Sequence, residues 1–270
     1  MAINDIALTS GMRSNLVSLQ NTVSLLNRTQ ERLSTGKKVN SALDDPINYF
    51  AAQGHTQRAA DLAARKDGMN EGVQVIKAAD AGIKAITALI QQAKSLATSA
   101  RTAGTTEAAD LASQFDDLLT QIDSLASDSS YKGINLLDSG VLTVEFNEDG
   151  SSSISVTGFD ASSSGLGIGA STGSWATSTD IDAAVADLDA AMNTLRSQSK
   201  TLSSSLNIIT TRDEFTKNMI DTLLAGADNL TLADMNEEGA NMLMLQTRQA
   251  LGTTALSLSA QAAQSVLKLF

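Results

Sequence analysis

The chain has 270 residues, 42% of them hydrophobic but only 3% aromatic, with one proline and no cysteine. A formal charge of −11 argues against nucleic acid or an anionic membrane surface as partner, since both are polyanions. Without cysteine there are no disulfides, thiolate nucleophiles or cysteine-held metals, and with so few aromatics the core must come from Ala, Leu, Ile, Val and Met on helices packed side by side. The opening MAINDIALTSGMRSN lacks a basic stretch followed by an apolar one, so a cleavable export signal is not expected. No run approaches the roughly 18 apolar residues that span a membrane, so no membrane insertion is expected.

The first periodic segment carries Leu16, Leu19, Val23, Leu26 and Leu33, a heptad-like stripe interrupted at Gln30. It predicts a helix ending near Gly36, a residue that tolerates the left-handed conformation of a helix C-terminus. In ERLSTGKKVNSALDDP the helical pattern stops, and Asp45 followed by Pro46 reads as a cap and first helical residue. A second long pattern starts near His55 and runs through Ile76, Ala79, Ile83, Ile86, Ile90, Ala93 and Ala97. TAGTTE reads as a turn and a new helix start, and the third stripe is Leu111, Phe115, Leu118, Ile122 and Leu125.

After Asp128 the composition turns to Ser, Gly and Thr. VLTVEF and SISVTGF alternate apolar with polar residues around NEDGSS, whose Asp-Gly favours a turn, and predict one β-hairpin. SSSGLGIGASTGS reads as an exposed, flexible connector. The last long pattern includes Ile181, Leu188, Leu195, Leu202, Leu206, Ile209, Leu223 and Leu230, with Ser199, Asp213 and Thr216 as polar exceptions. About 50 helical residues would extend about 75 Å, so early and late helices are expected to pack antiparallel in a rod. From about Asn236 a weakly charged helix closes the chain, with Met235, Met242, Leu256, Ala263 and Phe270 in one heptad position. A helix of this kind needs a partner, and the first stripe is the natural one.

No constellation supports catalysis, and no cofactor is expected. STGKK lacks the upstream glycine and the hydroxyl residue of a phosphate-binding loop, and no strand precedes it. GLGIG holds only two glycines of a dinucleotide fingerprint and lies outside any βαβ unit. Asp44 and Asp45 are adjacent, without the further ligands a cation needs. His55 is the single histidine and reads as a helix surface residue. The triplets at Asn27 and Asn229 match glycosylation acceptors but fall on predicted helices, and are read as chance.

Four segments together carry a family resemblance: ERLSTGKKVNSALDDP, KDGMNEGVQVIKAADAGIKAITALIQQAKSLATSA, SSYKGINLL, and ADMNEEGANMLMLQTRQALGTTALSLSAQAAQSVLKLF. In content, order and position they resemble the bacterial flagellins. The resemblance implies a mainly α protein with a long antiparallel, coiled-coil-like bundle and one small hairpin. It implies an inner helical domain of residues 1–35 and 236–270, a bundle domain of 36–137 and 181–235, and a short variable region, 138–180. It implies a structural subunit, not an enzyme, that polymerises with itself into an extracellular flagellar filament for motility and is exported by the type III route. Implied partners are an export chaperone, the hook-associated junction proteins and the filament cap. A hook–filament junction protein is the nearest alternative, and a chemoreceptor-like signalling rod is one from another class.

The expected assembly stripes are Leu16, Leu19, Val23, Leu26 and Leu33 with Met242, Leu245, Leu256, Val266 and Phe270, and folding of the two ends is expected to be coupled to assembly. Gly36, Lys37, Lys38, Asp44, Asp45 and Pro46 form the expected inter-domain joint. Members of the family detected by Toll-like receptor 5 carry the run L-Q-R-V-R-E-L-A. The matching segment runs from Ile90 to Ala97 and includes Gln91, Gln92, Lys94 and Leu96. Gln92 stands in place of the first arginine and Ser95 in place of the glutamate, so weak receptor activation is expected.

Overall fold

The computed structural model describes residues 10–267, with side chains through residue 265. Its elements are α1 (Ser10–Thr35), α2 (Pro46–Ala100), α3 (Thr105–Asp128), β1 (Val141–Glu145), β2 (Ser153–Thr157), a 3-10 turn (Thr172–Trp175), α4 (Ser178–Thr231) and α5 (Met235–Leu267). The protein is mainly α with one small antiparallel sheet, as the periodicities require. The chain divides into two compact units. One is drawn from its two ends, up to Gln57 and from Leu223 on, and the other is Arg58–Thr222.

The Arg58–Thr222 unit has a continuous apolar core. From α2, Ile76, Ala79, Ile83, Ile86, Ile90, Ala93 and Ala97 are all buried, the whole predicted stripe. On α4 every seventh residue from Ile181 to Thr216 is buried, the heptad frame of a side-by-side helix. Thr216, a polar exception in that frame, is buried in it. On α3 the stripe centres on Phe115 and Ile122, with Leu119 also buried and Leu111, Leu118 and Leu125 half-buried at its margins. The helix starts one residue after Gly104, which occupies the cap position without a side-chain bond, so the threonines of TAGTTE are not the cap.

The hairpin pairs Val141 with Thr157 through Glu145 with Ser153. Its turn is held by Asn147, whose side-chain oxygen accepts the Ser152 N–H at 2.9 Å, and by Gly150 at φ +72. Leu142, Val144, Phe146 and Val156 turn inward. Two salt bridges, Arg58–Glu148 at 2.6 Å and Arg65–Glu145 at 2.7 Å, bind the hairpin to α2. The approach is close: a Cβ on Gly72 would lie 2.6 Å from Val144 Cγ2, and one on Gly82 would lie 2.5 Å from Leu137 Cδ1. Within SSYKGINLL, Asn135 donates to the Ala126 and Ser127 carbonyls at 2.7 and 2.9 Å, which satisfies the open C-terminal end of α3.

The Ser/Gly segment departs from the expectation of an exposed, flexible connector. Leu166, Ile168 and Trp175 are buried in the core, and Trp175 packs against Phe115 with ring centres 5.0 Å apart and planes tilted by 54°. Two aspartates one heptad apart on α3 clasp the segment. Asp123 accepts the Ser163 N–H at 2.6 Å and its hydroxyl at 3.1 Å, and Asp116 accepts the Ser171 N–H at 2.7 Å and its hydroxyl at 2.8 Å. Composition signals flexibility here because it cannot register three separated apolar anchors or a carboxylate on another element.

Phe115→Ala is expected to destabilise this unit by about 3–5 kcal/mol in chemical denaturation, because a buried ring leaves a cavity. Asp116→Ala with Asp123→Ala is expected to raise acrylamide quenching of Trp175, the single tryptophan, with helix content by circular dichroism unchanged. Unaltered quenching would show that the apolar anchors alone hold the segment.

Candidate assembly surface

In the unit built from the chain ends, α1 and α5 pack antiparallel along the predicted stripes. Leu19 lies over Gly252, where an added Cβ would meet Leu19 Cδ1 at 3.2 Å. Several turns away, Arg32 donates to Glu238 Oε1 at 2.8 Å, with Glu238 itself buried. Of the expected stripe residues Leu245 is buried, Leu19, Val23, Leu26, Leu33, Met242 and Leu256 are half-buried, and Leu16 lies at the margin of exposure. The Val266 side chain and all of Phe270 lie outside the described residues.

This seam does not exhaust the apolar surface of the two helices. Fully buried residues on them are few: Met12, Thr29, Glu238 and Leu245. Val17, Leu25, Leu243, Met244, Leu251 and Leu258 remain exposed. Stripe counting picks the residues of the best single face, which pairing within the chain buries in part, and these exposed side chains lie outside it. The signal for the others was the excess of apolar residues on α5 beyond one heptad position.

The joint is an ordered structure. Gly36 ends α1 at φ +71, its N–H donating to the Arg32 carbonyl at 2.8 Å. The following strand-like residues are bound to the short link between α4 and α5. Lys37 forms an antiparallel bridge with Leu232, Lys38 N–H donates to Thr231 O at 2.7 Å, and Ala233 N–H donates to Gly36 O at 3.0 Å. Lys38 Nζ reaches the Asn229 carbonyl at 3.4 Å. Val39 and Thr231 are buried at this clamp.

Asp44 and Asp45 have separate local tasks. Asp44 Oδ2 accepts the N–H groups of Asn40 and Ser41 at 3.0 and 2.9 Å and the Ser41 hydroxyl at 3.2 Å. Those backbone donors stabilise its anion and hold its pKa below the ordinary carboxyl value. Asp45 caps α2, accepting the Asn48 N–H at 3.1 Å, with Pro46 as first helical residue. Asp234 caps α5 in the same way, accepting the Asn236 N–H at 2.9 Å.

In the expected receptor segment, Gln91 and Gln92 are exposed on α2, and Leu96 and Lys94 are half-buried. Lys94 is engaged in an ion pair with Asp189 of α4. His55 is half-buried, its ring beside Gly226. Among the described residues no cluster of three or more His, Asp or Glu side chains could hold a metal ion, and no helix is long and apolar enough to cross a membrane.

A bundle with its own core and a pair of helices that keep apolar side chains uncovered define a mainly α protein with apolar surface to spare. Residues 3–141 match the bacterial flagellin N-terminal helical region. Flagellins FljM and FljO of Caulobacter vibrioides are 34% and 32% identical to the chain over 274 residues, with all of each chain covered. The flagellin of Brucella melitensis is 26% identical over 268 residues, covering 94% of this chain and 95% of that one. The chain belongs to the flagellins, the structural subunits of bacterial flagellar filaments.

The Asp44 staple has a defined pH dependence. Its folded-state pKa is lowered from 3.8, so its contribution is present above that value and is lost as pH falls through the lower folded value. Hydrogen exchange at the Asn40 and Ser41 amides is expected to lose protection over that acid window, relative to amides elsewhere in the fold. Asp44→Asn is expected to show weakened protection already at neutral pH. An Asp44→Asn chain with wild-type protection would remove the staple from the account.

Proposed function

We propose that the chain polymerises as a helical homopolymer into the extracellular filament of a motile bacterium, and that the ends of the chain complete their burial only in the polymer. The observation that carries this reading is the pair α1 and α5: they are joined along one seam, yet Val17, Leu25, Leu243, Leu251 and Leu258 stay in solvent. Burying a side chain of this size is worth about 1.5–3 kcal/mol, so a lattice of neighbours that covers five of them gains much of what a monomer lacks. The described residues of the expected stripe, Leu16 to Leu33 and Met242 to Leu256, then serve as the intrachain half of the interface, and the exposed set serves as the half between subunits. Contacts that run head to tail without closing give an open filament.

In this reading residues 1–35 and 236–270 form the inner layer, 36–137 and 181–235 the surrounding bundle, and 138–180 the small outermost region. The joint from Gly36 to Pro46 carries load between the layers. Export follows the type III route through the growing filament. An export chaperone, the junction proteins and the cap are the partners in turn.

Deleting residues 1–30 is expected to leave the Arg58–Thr222 core folded, with wild-type Trp175 emission, and to abolish polymerisation in electron micrographs. Limited proteolysis is expected to trim both ends of the monomer and to spare them in filaments. Filaments from the truncated chain would end this reading.

With Gln92 where receptor-activating flagellins have arginine, and with Lys94 engaged by Asp189, activation of Toll-like receptor 5 is proposed to be weak. In a reporter-cell assay Gln92→Arg is expected to raise potency about ten-fold, the scale of one charged interface contact. Full potency of the wild-type chain would refute this.

A further inference from the structure

Leu43 is 96% exposed, and Ile47 and Phe50 are 82% and 61% exposed. None of the three belongs to a stripe read from the sequence. Leu43 stands in a turn that the chain has taken care to hold: Asp44 gathers the Asn40 and Ser41 donors, and the Leu43 N–H donates to Ser41 Oγ at 3.3 Å. Three large apolar side chains thus stand exposed within eight residues, one in a held turn and two in the first two turns of a capped helix.

The same unit carries a depression. A cleft of about 310 Å³ opens on the α1–α5 seam, lined by Leu19, Leu251, Gly252 and Ala255 together with polar residues that include Ser18 and Arg248. A side chain at residue 252 would press on its wall, since an added Cβ would lie 3.2 Å from Leu19 Cδ1. Leu43 cannot reach this cleft in its own chain. From Gly36 back to Leu19 the helix rises about 25 Å, and the segment leading to Leu43 is bound to Thr231 and Leu232.

The charges at the two places are opposite. The exposed carboxylate of Asp44 adjoins Leu43, and the exposed guanidinium of Arg248 lies at the rim of the cleft. An exposed apolar turn and a depression at different places on one chain are what an open, head-to-tail polymer requires.

We infer that the Leu43 turn of one subunit docks in the α1–α5 cleft of a second copy, with Asp44 facing Arg248. The inference rests on the filament-subunit reading and adds the specific contact. The absence of native cysteine allows a direct test on the full chain. Leu43→Cys and Ser18→Cys chains are copolymerised, filaments are verified by microscopy, and the sample is oxidised. A crosslinked heterodimer in mixed filaments, and a ladder of multimers from the double variant, are expected, with neither in dilute monomer.

The pair Val141→Cys with Thr157→Cys, directly opposite each other across the hairpin and away from the cleft, reports that oxidation is complete. Filaments that oxidise this control yet yield no product between positions 43 and 18, or only dimers of the Leu43→Cys chain with itself, overturn the docking and leave the filament reading standing. Failure of the wild-type chain to polymerise overturns the filament reading itself. Should cysteine at position 43 block assembly, Leu43→Ser is expected to need about ten-fold more protein to polymerise, and Leu43→Met about as much as wild type. Equal behaviour of these two variants overturns the docking.

Discussion

A helix with apolar residues on more than one face cannot be satisfied by one partner. That constraint governs α5, and through it the arrangement of the chain ends. One face meets α1, in a register set by Leu19 over Gly252 and by Arg32 with Glu238. The rest, including Leu243, Leu251 and Leu258, stays in water. The hydrophobic effect therefore leaves this unit incomplete, and a polymer can use what is left.

The Arg58–Thr222 unit has a continuous core of its own, although Ile208 and Phe215 of α4 stay exposed. Its helices bury their stripes against one another, and the hairpin and the Ser/Gly segment cover what the helices leave open. Trp175 on Phe115 and the clasps at Asp116 and Asp123 tie the least regular part of the chain to the most regular. One chain thus combines a part with a large continuous core and a part in which few apolar side chains are buried.

The Gly36–Pro46 segment is organised by backbone donors and acceptors. Gly36 ends one helix, Asp45 begins the next, Asp234 begins α5, and the strands between them bond to each other instead of to water. Hydrogen bonds of this kind contribute modest net stability and large geometric definition, because leaving buried backbone groups unpaired is costly. A segment rich in Ser, Asn, Lys and Asp is held in one shape, and that shape presents Leu43 outward.

Periodicity alone determined the helices, because a buried stripe must recur every three or four residues. The α2 core set and the heptad frame of α4 were legible residue by residue, as were the hairpin, the Gly36 stop and the Asp45–Pro46 start. Four ordered segments likewise made the flagellin resemblance legible. What the sequence could not decide was which apolar residues pair within the chain and which remain outside. Leu26 and Leu251 look alike in one dimension, and only the α1–α5 register makes one half-buried and the other exposed. The same holds for the Ser/Gly segment, whose anchors lie on α3, and for the Lys37–Leu232 bridge. Tertiary structure decided these because each depends on contacts between residues far apart in sequence, which no local pattern encodes.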